Sequence, residues 1–368
     1  MTFSSGTTSA KRRVAHVGTG MTGSVALRAI IDDPALDLTA LKVSSPAKVG
    51  TDAGALCGRP DIGVVATDDL GVVLDAKPDC IAYCATAVRR EHEVIADIVA
   101  YLEAGMNVVT ISAIPMVYPK AAPANWREPI ENAALKGNST FYAAGCEPGF
   151  VSLNLPTALL AGAGVIDTYR MDEYALDLDL AYPIWEVLHE SMGFGKANGH
   201  IPIRIAVGKV NNDWEPVVRY IADTLGVDTE RVALDWETIL APDDLDTALG
   251  VIPKDTICGH RWQLAAIQNE RPVVSVQYFA AVTSTPWPDS WPRPAQPGQG
   301  GMAFRIKGNP NMNLDLRLDP APGDSTNPGV AATAMAAINA IPAVIDAAPG
   351  LLDMPLAGPS IVTRQIRR

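Results

Sequence analysis

The stretch Val14-Ala15-His16-Val17-Gly18-Thr19-Gly20-Met21-Thr22-Gly23 constrains this chain more than any other. An apolar run ends in Gly-x-Gly-x-x-Gly, and a helical pattern follows at once through Val25, Leu27, Ile30 and Ile31. Between a strand and a helix, each glycine has its own mechanical task. Gly18 permits a tight turn, Gly20 lets backbone approach a pyrophosphate, and Gly23 lets helix and strand pack closely. The N–H groups at the helix start, around Thr19, Met21 and Thr22, then meet the phosphates. A glycine-rich turn with no ligand is the alternative. The strand, the helix and the βα units behind them favour a dinucleotide.

Those units recur as far as residue 150. Strands are expected at Leu38–Val43, Gly63–Ala66, Asp79–Cys84, Asn107–Ile111 and Thr140–Ala143. Helices are expected at Asp52–Leu56, Asp68–Leu74, Glu91–Glu103 and Pro129–Leu135. This alternation implies a parallel sheet with right-handed crossovers, an α/β Rossmann domain over 13–150. Ligands of such sheets lie at the carboxyl ends of strands. That places Ala85, Thr86, Thr110, Ile111 and Ser112 beside the cofactor. The second strand runs into Ser44-Ser45-Pro46-Ala47-Lys48, with no acid at its tip to hold a ribose 2′-hydroxyl. Small hydroxyls at Ser44 and Ser45 with Lys48 tolerate a 2′-phosphate. NADP is favoured over NAD, with an ordinary polar loop as the bland reading.

After residue 150 the pattern turns α+β. A long β-like run at Thr168–Leu180 alternates Tyr169, Met171, Glu173 and Ala175 against Arg170, Asp172 and Tyr174. A helix is expected at Pro183–Ser191, a flexible loop at Met192–Lys196 and a helix at Val218–Leu225. Thr256–Gln268 and Pro272–Thr283 read as strands paired around Asn269-Glu270. Pro286–Gly301 reads as irregular, and Ala303–Lys307 and Leu314–Leu318 as two further strands. The expected architecture over 151–325 is a substrate and dimerisation domain on an antiparallel sheet. An Ala-rich helix from Pro328, kinked at Pro342, returns to the Rossmann domain within 326–368. Residues 1–12 read as a loose leader.

Composition narrows the partners. A net charge of -12 argues against nucleic acid. No run of about 18 apolar residues is evident, so no membrane span is expected. Five scattered cysteines without a signal-peptide core point to reduced thiols in the cytoplasm. Asp177 and Asp179 share a face of the expected strand, but no further ligand accompanies them, so no metal is expected.

The motifs together resemble a known group. The glycine loop, Lys48-Val49-Gly50-Thr51-Asp52-Ala53-Gly54, Asn107-Val108-Val109-Thr110 and Pro148-Gly149-Phe150 are similar to the dihydrodipicolinate-reductase-like superfamily. Ala337-Ile338-Asn339-Ala340-Ile341-Pro342 and Ala348-Pro349-Gly350 fit the same group. The likeness is nearest to 2,4-diaminopentanoate dehydrogenase and the native amine dehydrogenases. It covers 13–150 and the last 40 or so residues, and is weak over 180–310. It implies NAD(P)H-dependent reduction of a C=N bond of a small, fairly apolar substrate by a homodimer. A ketone or aldehyde reductase, or a cofactor-binding pseudoenzyme, is the alternative. The family pattern implies a glutamate between the fifth strand and a Tyr-Pro pair. Here Tyr118-Pro119 is kept, but Ser112-Ala113-Ile114-Pro115-Met116-Val117 contains no carboxylate.

The catalytic candidates follow from the need for a group that handles a proton beside the transferred hydride. Glu147 replaces the asparagine common before the Pro-Gly-Phe turn, and follows a sheet strand. Its competing role is to cap the helix near Gly149. His189 and His200 flank the Gly-rich loop and are further acid or oxygen-binding candidates. Tyr174, Trp185 and Phe194 are expected to wall the substrate, against the plainer reading that they are core.

Overall fold

The computed structural model describes residues 10–295 and 300–353. The expected leader falls mostly on residues 1–9, and the far end of the tail on 354–368, outside the described residues. The chain divides into two compact units, one of residues 1–150 with 329–368 and the other of 151–328.

The first unit runs β1 (Arg12–Val17), α1 (Met21–Asp32), β2 (Leu36–Lys42), α2 (Ala53–Leu56), β3 (Ala66–Thr67), α3 (Leu70–Asp75) and β4 (Cys80–Tyr83). It continues through α4 (Glu91–Glu103), β5 (Asn107–Thr110), α5 (Ala124–Gly137) and β6 (Thr140–Ala143). Asp52 and Asp69 cap the short helices α2 and α3, accepting from Gly54 and Gly71 N–H. Helix α4 ends as its sequence predicts, at Gly105 with φ +82°. Helix α5 begins five residues earlier than the sequence reading, because Pro129 lies inside it rather than opening it.

The second unit contains α6 (Leu155–Leu160), β7 (Val165–Ala175), α7 (Leu178–Ala181), α8 (Ile203–Ala206) and α9 (Lys209–Thr224). Strands β8 (Arg231–Leu240), β9 (Leu245–Thr247), β10 (Gly250–Ile252), β11 (Ile257–Gln268), β12 (Arg271–Ala281), β13 (Gly301–Asn309) and β14 (Met312–Leu316) follow. Six strands form one sheet in the order β14-β13-β7-β12-β11-β8. The sheet is mixed, not purely antiparallel, because β7 pairs with β12 in parallel register, Tyr169 opposite Val274 through Ala175 opposite Ala280. No hairpin joins β7 to either neighbour, so no tight turn dictates its direction. The hairpin of β11 and β12 turns at Asn269 and Glu270, both left-handed at φ +50° and +59°.

Three further expectations are corrected here. The strand expected to reach Leu180 stops at Ala175, and Asp177 turns the chain at φ +50° into α7. Asp177 and Asp179 therefore share no strand face. Their carboxylates accept from Ser284 N and Ala248 N, at 2.6 and 2.9 Å. The segment 192–196 is packed: Met192 and Phe194 are buried, and Gly195 N donates to Ile257 O. Helix α9 extends nine residues ahead of its expected start, again because a proline, Pro216, sits inside it.

The last helix, α10 (Pro328–Ile345), and β15 (Gly350–Leu351) return to the first unit. Strand β15 runs parallel to β6, giving a seven-stranded sheet ordered β15-β6-β5-β4-β1-β2-β3. Arg12 clamps the helix end, donating to Pro342 O and pairing with Asp346. Thr333 accepts from Cys146 N. Helix α10 reaches the length and mean hydropathy, 1.6, of a membrane-crossing segment by composition alone, and a third of it is buried inside the protein. Ala334, Ala337, Ile338, Ile341 and Val344 are buried on one face of it. All five cysteines are buried and unbridged.

Candidate active site

In the first unit, strand order reverses between β1 and β4, and the glycine loop lies at that crevice. Gly18 turns at φ +94°, and a Cβ there would stand 2.7 Å from Ala85 N. A Cβ on Gly23 would stand 2.2 Å from Gly18 O, so the helix seats directly on the loop. Around Gly20 nothing lies within 4 Å of a Cβ position. Two glycines are therefore required by the protein's own packing, and the third leaves open space. Gly20 is also the N-cap of α1, which has no side-chain cap and no acid in its first turn. An uncapped helix start with an open approach fits a dinucleotide pyrophosphate.

Lys48 reaches this loop from beyond β2. Its Nζ donates to Thr19 O at 2.8 Å and to Thr19 Oγ1 at 3.0 Å. Ser44 is exposed and Ser45 half-buried on the same turn. Under the loop, His16 is fully buried and donates from Nε2 to Gly18 O at 2.7 Å. Burial holds its pKa down to about 4, so the ring is neutral at physiological pH.

Next to the loop, Thr86 is exposed and accepts from Val88 N, while Ser112 donates from its hydroxyl to Ala85 O. Thr110 differs from its expected role. It is fully buried, donates to Tyr83 O and accepts from Ser112 N. It fixes the β4 and β5 ends and holds Ile111-Ser112 in place rather than facing a ligand. Glu147 lies beyond β6 at the same carboxyl edge of the sheet, half-buried, between the buried Cys146 and Pro148. Glu147, Pro148 and Gly149 are all non-helical, so helical turns begin only after Gly149.

In the second unit, His189 donates from Nδ1 to Phe194 O at 2.7 Å and stacks on Trp185 at 4.7 Å. That pair is only partly buried. Phe194 is fully buried against His260, and Tyr174 is 4% exposed within a cluster of Phe279, Trp287 and Trp291. Phe194 is a core residue here, while Tyr174, though buried, lines a cavity with Pro294, Met302 and Leu316. His200 packs over Gly193, and its Nε2 has no hydrogen-bond partner among the described residues.

Sequence reasoning missed a polar group on the apolar face of this sheet. Glu173 on β7 stands opposite Tyr278 on β12, which stands opposite Trp262 on β11. Arg204 on α8 interacts with the Tyr278 hydroxyl. His260 lies 6.0 Å from Tyr278 by ring centroids. Burial pushes Glu173 up to about 7, with Arg204 opposing the rise, and holds His260 down to about 3. The signal was legible: an acid alternates with Tyr169 and Met171 on the face that packs inward.

The C-terminal half, residues 195–367, matches the model of the 2,4-diaminopentanoate dehydrogenase C-terminal domain. Likeness therefore extends through the stretch where the sequence motifs are weakest. An amine dehydrogenase of Streptomyces virginiae is 31% identical over 347 residues, spanning 92% of this chain and 95% of that protein. The chain belongs to the amine dehydrogenase family. It is an NAD(P)-dependent oxidoreductase. The fold of this chain is shared by a solved amine dehydrogenase from Mycobacterium smegmatis, at 20% identity and TM-score 0.68, covering 95% of this chain and 98% of the other. A probable dehydrogenase from Thermotoga maritima shares it at 12% identity and TM-score 0.56, over 90% and 89%.

Proposed function

We propose that the chain interconverts an amine and the corresponding imine of a small, fairly apolar substrate, the imine arising from a ketone and ammonia. The observation that carries this reading is likeness to an amine dehydrogenase along nearly the whole chain. The bound nicotinamide supplies or accepts the hydride. The chain's own residues hold the cofactor, place the substrate and move the proton. Gly18, Gly20 and Gly23 shape the pyrophosphate seat, with the N–H groups of Met21 and Thr22 facing the anion. Lys48, Ser44 and Ser45 favour NADP, since a cation and two hydroxyls suit a 2′-phosphate. Glu147 is the proton-handling carboxylate in this proposal, and His189 and His200 are secondary candidates. Trp185 supplies an apolar, partly exposed surface for substrate. We place the enzyme in the cytoplasm as a homodimer.

Reduction of a C=O bond is the second reading, favoured by the absence of a carboxylate across Ser112–Val117. A panel of ketones, each with and without ammonia or methylamine, followed by NADPH and NADH absorbance, separates the two. Consumption only with the amine supports C=N reduction. Equal consumption without amine supports C=O reduction, and none at all supports a pseudoenzyme.

A further inference from the structure

His16 is an unusual residue for the middle of a parallel sheet. On β1 it pairs with Leu41 of β2 and Ala82 of β4, both buried. Strands covered on both faces read as apolar runs, and a buried polar ring costs free energy unless it is hydrogen-bonded. His16 is itself 0% exposed. Its Nε2 donates to Gly18 O at 2.7 Å, and the backbone of Gly23 also acts on the ring. Nδ1 has no hydrogen-bond partner among the described residues. A carbonyl can only accept, so the bond to Gly18 O fixes the proton on Nε2. An apolar side chain would serve the strand as well. What the ring adds is its hold on two glycines of the loop.

Peptide geometry says what that hold does. The Gly18–Thr19 peptide is trans, so its carbonyl and its N–H point in opposite directions. With Gly18 O drawn down to His16, Thr19 N–H points away from the sheet. That N–H has no acceptor among the described residues. The next peptide is set in the same manner. Thr19 O accepts from Ser24 Oγ at 3.1 Å and from Lys48 Nζ at 2.8 Å, and Gly20 N–H is turned the opposite way. Gly18 is where the loop could otherwise turn over, since glycine takes either sign of φ at little cost and stands here at +94°. Its N–H is already engaged with Lys42 O at 2.9 Å, which leaves the carbonyl as the end to be fixed.

We propose that His16 is a positioning residue for the cofactor, holding the Gly18–Thr19 peptide in the orientation that presents Thr19 N–H to the pyrophosphate. The proposal rests on the reading of the glycine loop as the pyrophosphate seat. Successive backbone N–H groups form an anion-binding concavity, and donors already aimed at the anion need no reordering when it binds. The ring touches neither cofactor nor substrate and acts through Gly18 alone.

The test is displacement of NADPH fluorescence from the full chain by ADP-ribose, which carries the diphosphate, and by adenosine, which lacks it. His16→Leu suits an apolar strand position and removes the donor. It should weaken NADPH and ADP-ribose by about tenfold and leave adenosine unchanged. His16→Gln can place an amide N–H where Nε2 stands, and should keep ADP-ribose within about threefold of the unmodified chain. His16→Asn can place one only where Nδ1 stands, and should behave as His16→Leu. Undiminished binding of NADPH and ADP-ribose by His16→Leu overturns the proposal. Adenosine weakened as much as ADP-ribose also overturns it, because the defect is then a general one. Should His16→Leu fail to fold, the Gln and Asn variants decide, and equal ADP-ribose affinity in the two counts against His16. Gly20→Val separates this role from the loop reading. NADPH lost in Gly20→Val but kept in His16→Leu removes His16 alone. NADPH kept in Gly20→Val overturns the loop reading and the proposal with it.

Discussion

Lys48 holds Thr19 by both its carbonyl and its hydroxyl, tying the turn after β2 to the glycine loop. The ammonium is therefore fixed where the turn after β2 meets the glycine loop. In the NADP reading it serves the 2′-phosphate. Lys48→Met should raise the KM for NADPH about tenfold or more and leave NADH nearly unaltered, as expected for loss of a charge-assisted hydrogen bond. An unchanged ratio of kcat/KM for the two cofactors removes Lys48 from that role.

Ser44→Asp tests the same turn with the opposite charge. Ser44 is exposed, so the carboxylate is tolerated by the fold. It should repel a 2′-phosphate and accept from a ribose hydroxyl, swinging preference toward NADH. Outright rejection of NADPH by the unmodified enzyme is the result that contradicts the reading.

The glycines make a contrasting pair. Gly20 has open space where a side chain would go, so Gly20→Val should keep the melting temperature and lose the cofactor. Gly23→Ala would put a methyl 2.2 Å from Gly18 O. Overpacking there should destabilise the unit by about 1–3 kcal/mol as well as weaken the cofactor. Calorimetry and NADPH fluorescence titration on both variants check the split.

Glu147→Gln preserves shape and removes the titration. Turnover should fall by about 10²–10⁴ with cofactor affinity held, and one limb of the pH–rate profile should vanish. Normal turnover with an unchanged profile would reduce Glu147 to a structural turn residue.

His16 makes stability depend on acid. Its folded pKa of about 4 lies below the ordinary 6.5, because the buried ring resists charging. The unfolded chain therefore takes up the proton first. No stability is lost above pH 6.5; below it the loss grows by about 1.4 kcal/mol per pH unit, reaching about 3 kcal/mol near pH 4. His16→Gln keeps a donor for Gly18 O and should flatten that slope in urea titrations between pH 7 and 4.5. An unaltered slope assigns the acid sensitivity elsewhere.

The sequence by itself determined the first unit. Local rules suffice there: glycine spacing fixes the turn, each strand is followed by its helix, and Asp52, Asp69 and Gly105 mark helix ends within a few residues of where they act. The same locality misplaced two helix starts: Pro129 reads as the start of α5 but lies inside it, and α9 begins nine residues ahead of Val218 and runs through Pro216. Tertiary structure alone decided the rest. Strand β7 runs parallel to β12 although about a hundred residues separate them, and no local signal encodes that pairing. Thr110 became a brace because the end of β4 stands beside it, and Phe194 became core because β11 covers its loop. Glu173 is one acid in an alternating strand until Tyr278, Trp262, His260 and Arg204 arrive from three other elements. Its desolvation comes from those neighbours, and neighbours distant in sequence are what the fold alone supplies.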